Sequence, residues 1–325
     1  MTILDRFAAG DRVALAKVIS FVEDRRDGYD GVLARIFSGG KSAYRVGLTG
    51  PPGAGKSSLV NRLAGLLAGQ GLRVGIIAVD PTSPFSGGAL LGDRVRMQAL
   101  YGRPNIFIRS MATRGSSGGL AASTKDVCVV LEGFGFDVIL VETVGVGQIE
   151  LDVASVCDSV VVVFVPESGD SIQAMKSGLM EIADVFCLNK SDRPGADRIK
   201  AELESILDVQ RQIRSSALRG SPPPWETPIV PTVAIRDKGV TELWEAVSRH
   251  RQFRSQGDPA GLRLARTRSD LVLSLTELAH DQLEKTLFDS DHLNRAVEQI
   301  VSGQADPYST ARRLFESWRR GQVRN

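Results

Sequence analysis

The octapeptide Gly50-Pro51-Pro52-Gly53-Ala54-Gly55-Lys56-Ser57 constrains this chain more than any other stretch. It fills each fixed position of the phosphate-cradling pattern G-x-x-x-x-G-K-[ST]. Its flanks specify a fold as well as a chemistry. Tyr44–Thr49 reads as a short buried strand entering the loop, and residues 58–64, from Ser58 onward, have the apolar spacing of a helix opening just after it. Gly50, Gly53 and Gly55 let the backbone turn tightly, so that successive N–H groups point at phosphates, and the helix N-terminus adds positive potential there. In this pattern Lys56 reaches the β- and γ-phosphates and Ser57 offers a hydroxyl to magnesium. A chance glycine-rich turn would not come with both strand and helix, so the chain is expected to bind a nucleotide.

Apolar, strand-like runs then alternate with helical patterns. The later strands are expected at 74–79, 106–108, 138–141, 160–165, 185–188 and 229–233. This alternation predicts an α/β fold, a P-loop NTPase with a mostly parallel central sheet flanked by helices. The ligand should sit at the carboxyl ends of the strands. The first forty residues read as helical, with Gly10-Asp11 as a cap and Val13, Leu15, Ala16, Ile19 and Val22 at helical spacing. Beyond about residue 239 only helices are expected, including a long one over 271–287 and a last one opened by Asp306-Pro307.

Composition removes several function classes. The net charge of +2 is too small to point to nucleic acid or a membrane surface, and no apolar run is long enough to span a bilayer. The opening Met1-Thr2-Ile3-Leu4-Asp5-Arg6 lacks the apolar core of a secretory signal, which predicts a cytoplasmic address. Cys128, Cys157 and Cys187 form no C-x-x-C pair and are read as buried, reduced thiols. His250, His280 and His292 make a poor inventory for a transition-metal site and are read as lone surface histidines.

The base is read from Asn189-Lys190-Ser191-Asp192, which directly follows the apolar run ending at Leu188. This is the N-K-x-D pattern of guanine-specific GTPases. The Asp192 carboxylate only accepts, and so matches the adjacent N1–H and N2–H₂ donors of guanine. Adenine would leave it unpaired, at a cost of about 1–3 kcal/mol or more. Ala234, after the last strand, is placed to close the base pocket through its backbone. Glu142 ends a buried strand in the acidic position, with Gly145 at the γ-phosphate; its length favours a water-mediated magnesium contact over direct ligation. Val146 stands where Ras-like enzymes carry a water-orienting glutamine, which predicts slow intrinsic hydrolysis. Gln148 is either a substitute for that glutamine or a surface residue. Asp80, at the end of a strand near the phosphates, suits water activation or the second shell of magnesium. Asp93, in a glycine-flanked stretch, would complete the metal shell or cap a helix.

Together these motifs resemble the MeaB/ArgK family of P-loop GTPases. The matching stretches are 46–58, 78–81, 87–94, the E-T-V-G-V-G-Q run ending at Gln148, and 189–192, with the similarity densest over 44–192. The resemblance implies a GTP-hydrolysing chaperone, using GTP/GDP and Mg2+, that gates adenosylcobalamin loading and protects or reactivates an adenosylcobalamin-dependent acyl-CoA mutase. It implies that Gly169-Asp170-Ser-Ile-Gln173-Ala-Met-Lys176 is a partner-sensing switch involving Asp170, Gln173 and Lys176; spacing alone reads the same stretch as a capped amphipathic helix. It also implies a homodimer through the C-terminal helices. The expected domains are thus an N-terminal helical extension (1–43), the GTPase domain (44–255) and an all-α C-terminal dimerisation arm (256–325). Two other classes share the phosphate loop. A nickel- or zinc-insertion GTPase would want a Cys/His cluster near the switches, which this chain lacks. A small-molecule kinase would usually want adenine, which Asp192 opposes.

Overall fold

The structure is a computed structural model that describes residues 1–37, 43–80, 97, 100–112, 119–143, 155–166, 178–217, 224–288 and 290–320. It divides into two compact units, Met1–Ala265 and Arg266–Asn325.

In the first unit, three helices, α1 (Ile3–Ala8), α2 (Arg12–Glu23) and α3 (Tyr29–Ile36), precede the sheet. The strands are β1 (Tyr44–Thr49), β2 (Val74–Asp80), β3 (Ile106–Ala112), β4 (Val138–Glu142), β5 (Ser159–Phe164), β6 (Val185–Leu188) and β7 (Ile229–Pro231). All seven expected strands are present, in the order β3-β2-β4-β1-β5-β6-β7, and every pairing is parallel. Helices connect them: α4 (Lys56–Gly69), α5 (Gly119–Phe134), the short α6 (Leu179–Ile182), α7 (Ala196–Ala217) and α8 (Val240–Gly257). A parallel sheet covered on both faces buries both sides of each strand, which is why β1, β4, β5 and β6 are buried at every residue and read as continuous apolar runs.

On one face, α4 and α8 pack on the sheet. Leu59, Val60, Leu63, Ala64 and Leu67 of α4 lie on the buried stripe, and Leu243, Ala246 and Val247 of α8 join them. Truncating one such leucine to alanine costs about 2–5 kcal/mol. Elsewhere the aromatic rings of Phe7, Phe134 and Phe136 pack edge-on and stacked, with the Arg73 guanidinium over two of them. The cap of α2 is Asp11, whose carboxylate accepts from Val13 and Ala14. The inward face differs from the one expected: Ala14, Leu15, Val18, Ile19 and Val22 are buried, whereas Val13 is exposed. Val13 stands in the first turn, where its N–H bonds the cap and its side chain is exposed.

Arg45 is the one buried charge in β1. Its Nε donates to Glu132 Oε1 of α5 at 2.9 Å, and its backbone N–H donates to Asp158. Removing one member of a buried pair of this kind typically costs about 3–5 kcal/mol.

A second buried network contradicts the reading of His250 as a surface residue. The residue is 4% exposed, and its ring packs at a tilt against Trp225, 4.9 Å between centroids. Nδ1 lies 2.6 Å from Ser159 Oγ, which in turn lies 2.5 Å from Tyr44 OH, and Nε2 lies 3.2 Å from Asp184 Oδ1. Burial lowers His250 to about 4 and raises Asp184 to about 6. His280 and His292 are exposed, as expected. Of the thiols, Cys128 and Cys187 are buried, while Cys157 is only half-buried.

The second unit is helical. It contains most of α9 (Pro259–Leu283), which ends in a π-helical turn over Glu284–Phe288, then α10 (Asp291–Val301) and α11 (Pro307–Arg319). Asp306 caps α11 through the N–H groups of Tyr308 and Ser309, with Pro307 in the first turn. The indole of Trp318 donates to Thr286 Oγ1 at 2.8 Å.

Candidate functional site

β1 lies between β4 and β5; from β1 the chain goes to β2 on one side, and from β4 it crosses to β5 on the other, so a crevice opens at the carboxyl end of β1. Residues 50–55 fill that position. Gly50 has φ +135°, and a Cβ there would collide with the carbonyl oxygen of Val163 in β5. Gly55 has φ +89°, and a Cβ there would collide with Asn189 Nδ2. Only glycine fits at these two points, which explains the pattern locally.

Lys56 opens α4 and is buried; its ammonium donates to the carbonyls of Gly50 at 2.6 Å and Pro51 at 3.0 Å. The cation is thereby folded back over the loop it belongs to. Ser57, the next residue, donates through Oγ to Glu142 Oε1 at 2.6 Å. The sheet register brings this about, because Leu48 pairs with Glu142 across β1 and β4. Thr143 continues the frame, its hydroxyl bonding Thr49 Oγ1 at 3.0 Å and its N–H bonding Leu48 O at 3.1 Å. A hydroxyl and a carboxylate, both buried at the head of α4, are hard oxygen donors and fit magnesium.

The N-K-x-D segment leaves β6 at the same edge. Asn189 is buried and its side chain joins three segments. Nδ2 donates to Ala54 O at 2.8 Å, while Oδ1 accepts from Thr232 Oγ1 and from the N–H of Ala234, each at 3.1 Å. The backbone N–H of Ala234 is thus bound to Asn189, which ties the turn after β7 to the end of β6. Lys190 takes a left-handed conformation, φ +54°. Ser191 N–H then bonds Thr232 O at 3.0 Å, which holds the turn against β7. Asp192 follows, exposed, with Arg236 Nη1 at 3.5 Å from Oδ2.

The structure therefore brings together Gly50, Pro51, Ala54, Gly55, Lys56, Ser57, Glu142, Asn189 and Ala234, with Lys190 and Asp192 beside them. Pro52, Gly53 and Ser58 belong to the same loop and first helical turn. Asp80 is the last residue of β2, two beyond Ala78, which pairs with Glu142; its side chain lies outside the described residues. Asp93, Gly145, Val146, Gln148, Asp170, Gln173 and Lys176 also lie outside them. Two contributors escaped the sequence reading, Thr143 and Thr232, because a threonine beside a motif carries no signal of its own. Among the described residues, the His/Cys/Asp/Glu side chains grouped closely enough to share a metal ion are His280, Asp281 and Glu284, in the helical unit.

Comparison with known proteins gives a consistent picture. The profile of the family described as methylmalonyl Co-A mutase-associated GTPase MeaB matches residues 15–292. The chain is 43% identical to PH0274 of Pyrococcus horikoshii, assigned by name to the GTPases, over 97% of this chain and 96% of the relative. It is 38% identical to the mouse methylmalonic aciduria type A homolog, mitochondrial, over 76% of this chain and 61% of that protein. To the GTPase ArgK of Escherichia coli it is 34% identical, over 74% and 73%. A crystal structure of an LAO/AO transport system kinase shares the fold, with TM-score 0.67 at 24% identity over 98% of this chain and 96% of that one. No helix among the described residues is long and apolar enough to cross a membrane.

Proposed function

The chain belongs to the MeaB family of methylmalonyl-CoA mutase-associated GTPases, and from that membership we propose a GTP-driven chaperone for an adenosylcobalamin-dependent acyl-CoA mutase. In this role it gates cofactor loading and protects or reactivates the mutase. The observation that carries the nucleotide half of the reading is the Asn189 side chain, bonded at once to the phosphate loop and to the base-closing turn. The partner half rests on the family description and on the name of the mouse relative.

GTP phosphates take the N–H groups of residues 50–57, and Lys56 turns its ammonium from the loop carbonyls to the β- and γ-phosphates. Asp192 accepts from guanine N1–H and N2–H₂. Ser57 as ligand and the longer Glu142 through water would hold magnesium, which would supply positive charge to offset that of the phosphates. Asp80 and Gln148 orient water, Asp93 would complete the metal shell, and Gly145 reads the γ-phosphate. With Val146 in place of a water-orienting glutamine, turnover is slow until a partner completes the site. Asp170, Gln173 and Lys176 report the nucleotide state to the mutase.

The domain scheme is an N-terminal extension over 1–43, the GTPase domain over 44–255 and a dimerisation arm over 256–325. Leu271, Leu275 and Leu278 follow one another at helical spacing on α9 and are each 57–58% exposed. An apolar ridge of that kind suits a second copy of the chain. Gel filtration of the protein with an adenosylcobalamin-dependent acyl-CoA mutase, in GDP and in a non-hydrolysable GTP analogue, tests the partner. A nucleotide-dependent shift in complex formation is expected; no complex in either state would reject the reading.

A further inference from the structure

We propose that Arg236 is a positioning residue for the guanine-reading carboxylate of Asp192, so that selection of guanine depends on a cation delivered by the base-closing turn. The inference rests on the reading of Asp192 given above.

The two side chains come from different segments, both fixed. Arg236 ends a 3₁₀ turn, Ala234–Arg236, whose first N–H is bound by Asn189 Oδ1 at 3.1 Å. The turn is closed by the pair Val233 N to Lys238 O at 2.9 Å and Lys238 N to Val233 O at 3.4 Å. Arg62, on the phosphate-loop helix α4, reaches Asp237 Oδ2 at 2.9 Å and Ile235 O at 3.4 Å. Asp192 in turn follows the left-handed Lys190 and the bond from Ser191 N–H to Thr232 O. Between these anchors, Arg236 Nη1 stands 3.5 Å from Asp192 Oδ2, with the arginine side chain 70% exposed and the aspartate 31%. The guanidinium therefore lies to the solvent side of the carboxylate.

That arrangement lets cation and base share the carboxylate. Two carboxylate oxygens offer about four lone-pair sites, and guanine uses one on each. A guanidinium carries donors only, so Arg236 attracts the carboxylate as an ion pair while leaving its lone pairs to the base, and it cannot pair with the N1–H and N2–H₂ edge itself. Holding the carboxylate in one rotamer before the base arrives removes an ordering cost from binding. The benefit is largest for a base that needs both oxygens placed. Guanine does; hypoxanthine, which lacks the 2-amino group, needs only one.

The test uses the full-length protein with GDP, IDP and XDP by titration calorimetry, and GTP hydrolysis for the kinetic split. Arg236→Ala is expected to weaken GDP about five-fold, the upper range for an exposed pair. IDP should weaken less, so the GDP-to-IDP preference contracts, and the hydrolytic loss should fall on KM. Arg236→Lys should recover part of the preference. An unchanged preference in Arg236→Ala, or a loss confined to kcat, overturns the proposal. Asp192→Asn separates this from the underlying reading, since its amide donates to the 2-oxo group of xanthine and should shift preference to XDP. If Asp192→Asn keeps its GDP preference, the reading of Asp192 fails and this inference with it. If it shifts while Arg236→Ala does nothing, only the role of Arg236 fails.

Discussion

The hydroxyl of Ser57 donates to the carboxylate of Glu142 at 2.6 Å, joining the head of α4 to the end of β4 across the floor of the phosphate crevice. Both side chains are buried, and one oxygen of each is aimed at the other. Disturbing either should therefore be felt as a change in magnesium dependence. Glu142→Gln keeps the shape and removes the charge, and should lower kcat with GTP by about 10- to 100-fold, the usual range for an outer-shell partner. The magnesium concentration for half-maximal turnover should rise with it. Unchanged magnesium dependence would remove Glu142 from the metal site.

Asn189 is a structural hub, joined to Ala54, Thr232 and Ala234. Asn189→Ala strands the buried Ala54 carbonyl and the Ala234 N–H, each at about 1–3 kcal/mol. Thermal unfolding of the protein without added nucleotide should show the loss, and GDP affinity should fall in parallel. Gly55→Ala should behave similarly, because its Cβ meets the Asn189 amide. A variant of Asn189 with native stability and weakened GDP binding would restrict the residue to the ligand.

The His250–Asp184 pair predicts an unusual pH profile. His250 is held near 4 against an ordinary 6.5, chiefly by burial, so on its own it favours the fold above pH 6.5 and loses that contribution as pH falls toward 4. Asp184 is held near 6 against 3.8, again chiefly by burial, so on its own it favours the fold below pH 3.8 and loses that contribution as pH rises toward 6. Between pH 4 and 6 the folded pair and the unfolded pair each bind one proton in total, and the two slopes cancel. Removing one partner exposes the other. His250→Gln should lose up to about 3 kcal/mol of stability as pH rises from 4 to 6, and Asp184→Asn should lose a similar amount as pH falls from 6.5 to 4. Denaturant unfolding across that range checks both signs; parallel slopes in the two variants would contradict the account.

The α9 ridge predicts the oligomeric state. Leu271→Glu with Leu275→Glu places charge on exposed positions and should leave the fold intact. Light scattering should find a dimer in the parent protein and a monomer in the variant. A parent that is already monomeric at high concentration would contradict the second-copy reading.

Much of the fold was legible because the relevant signals are local. A strand buried on both faces must be apolar throughout, so β1, β4, β5 and β6 stand out within a few residues of their true ends. In the sequence β3 reads only to 108, because Arg109 and Ser110 look like an exit; the strand continues to Ala112, with the Arg109 guanidinium paired to Glu23 of α2. β7 reads as far as 233, because Val233 is apolar and β-branched, yet its backbone turns to pair with Lys238 and the strand ends at Pro231. The burial of His250 is hidden in the sequence for the same kind of reason. Its neighbours Arg249 and Arg251 look like a solvated face, whereas its burial is set by Ser159, Asp184 and Trp225, all distant in sequence. The phosphate loop and the N-K-x-D turn were legible as motifs. That one asparagine ties them together was not, because its partners Ala54 and Ala234 lie 135 and 45 residues away.

The most direct test of the central claim is GTP hydrolysis by the purified protein, alone and with an adenosylcobalamin-dependent acyl-CoA mutase, with Lys56→Ala as the control. The account predicts slow turnover alone, acceleration by the mutase, and loss of both in Lys56→Ala. Turnover that is equally fast with and without every such mutase would contradict it.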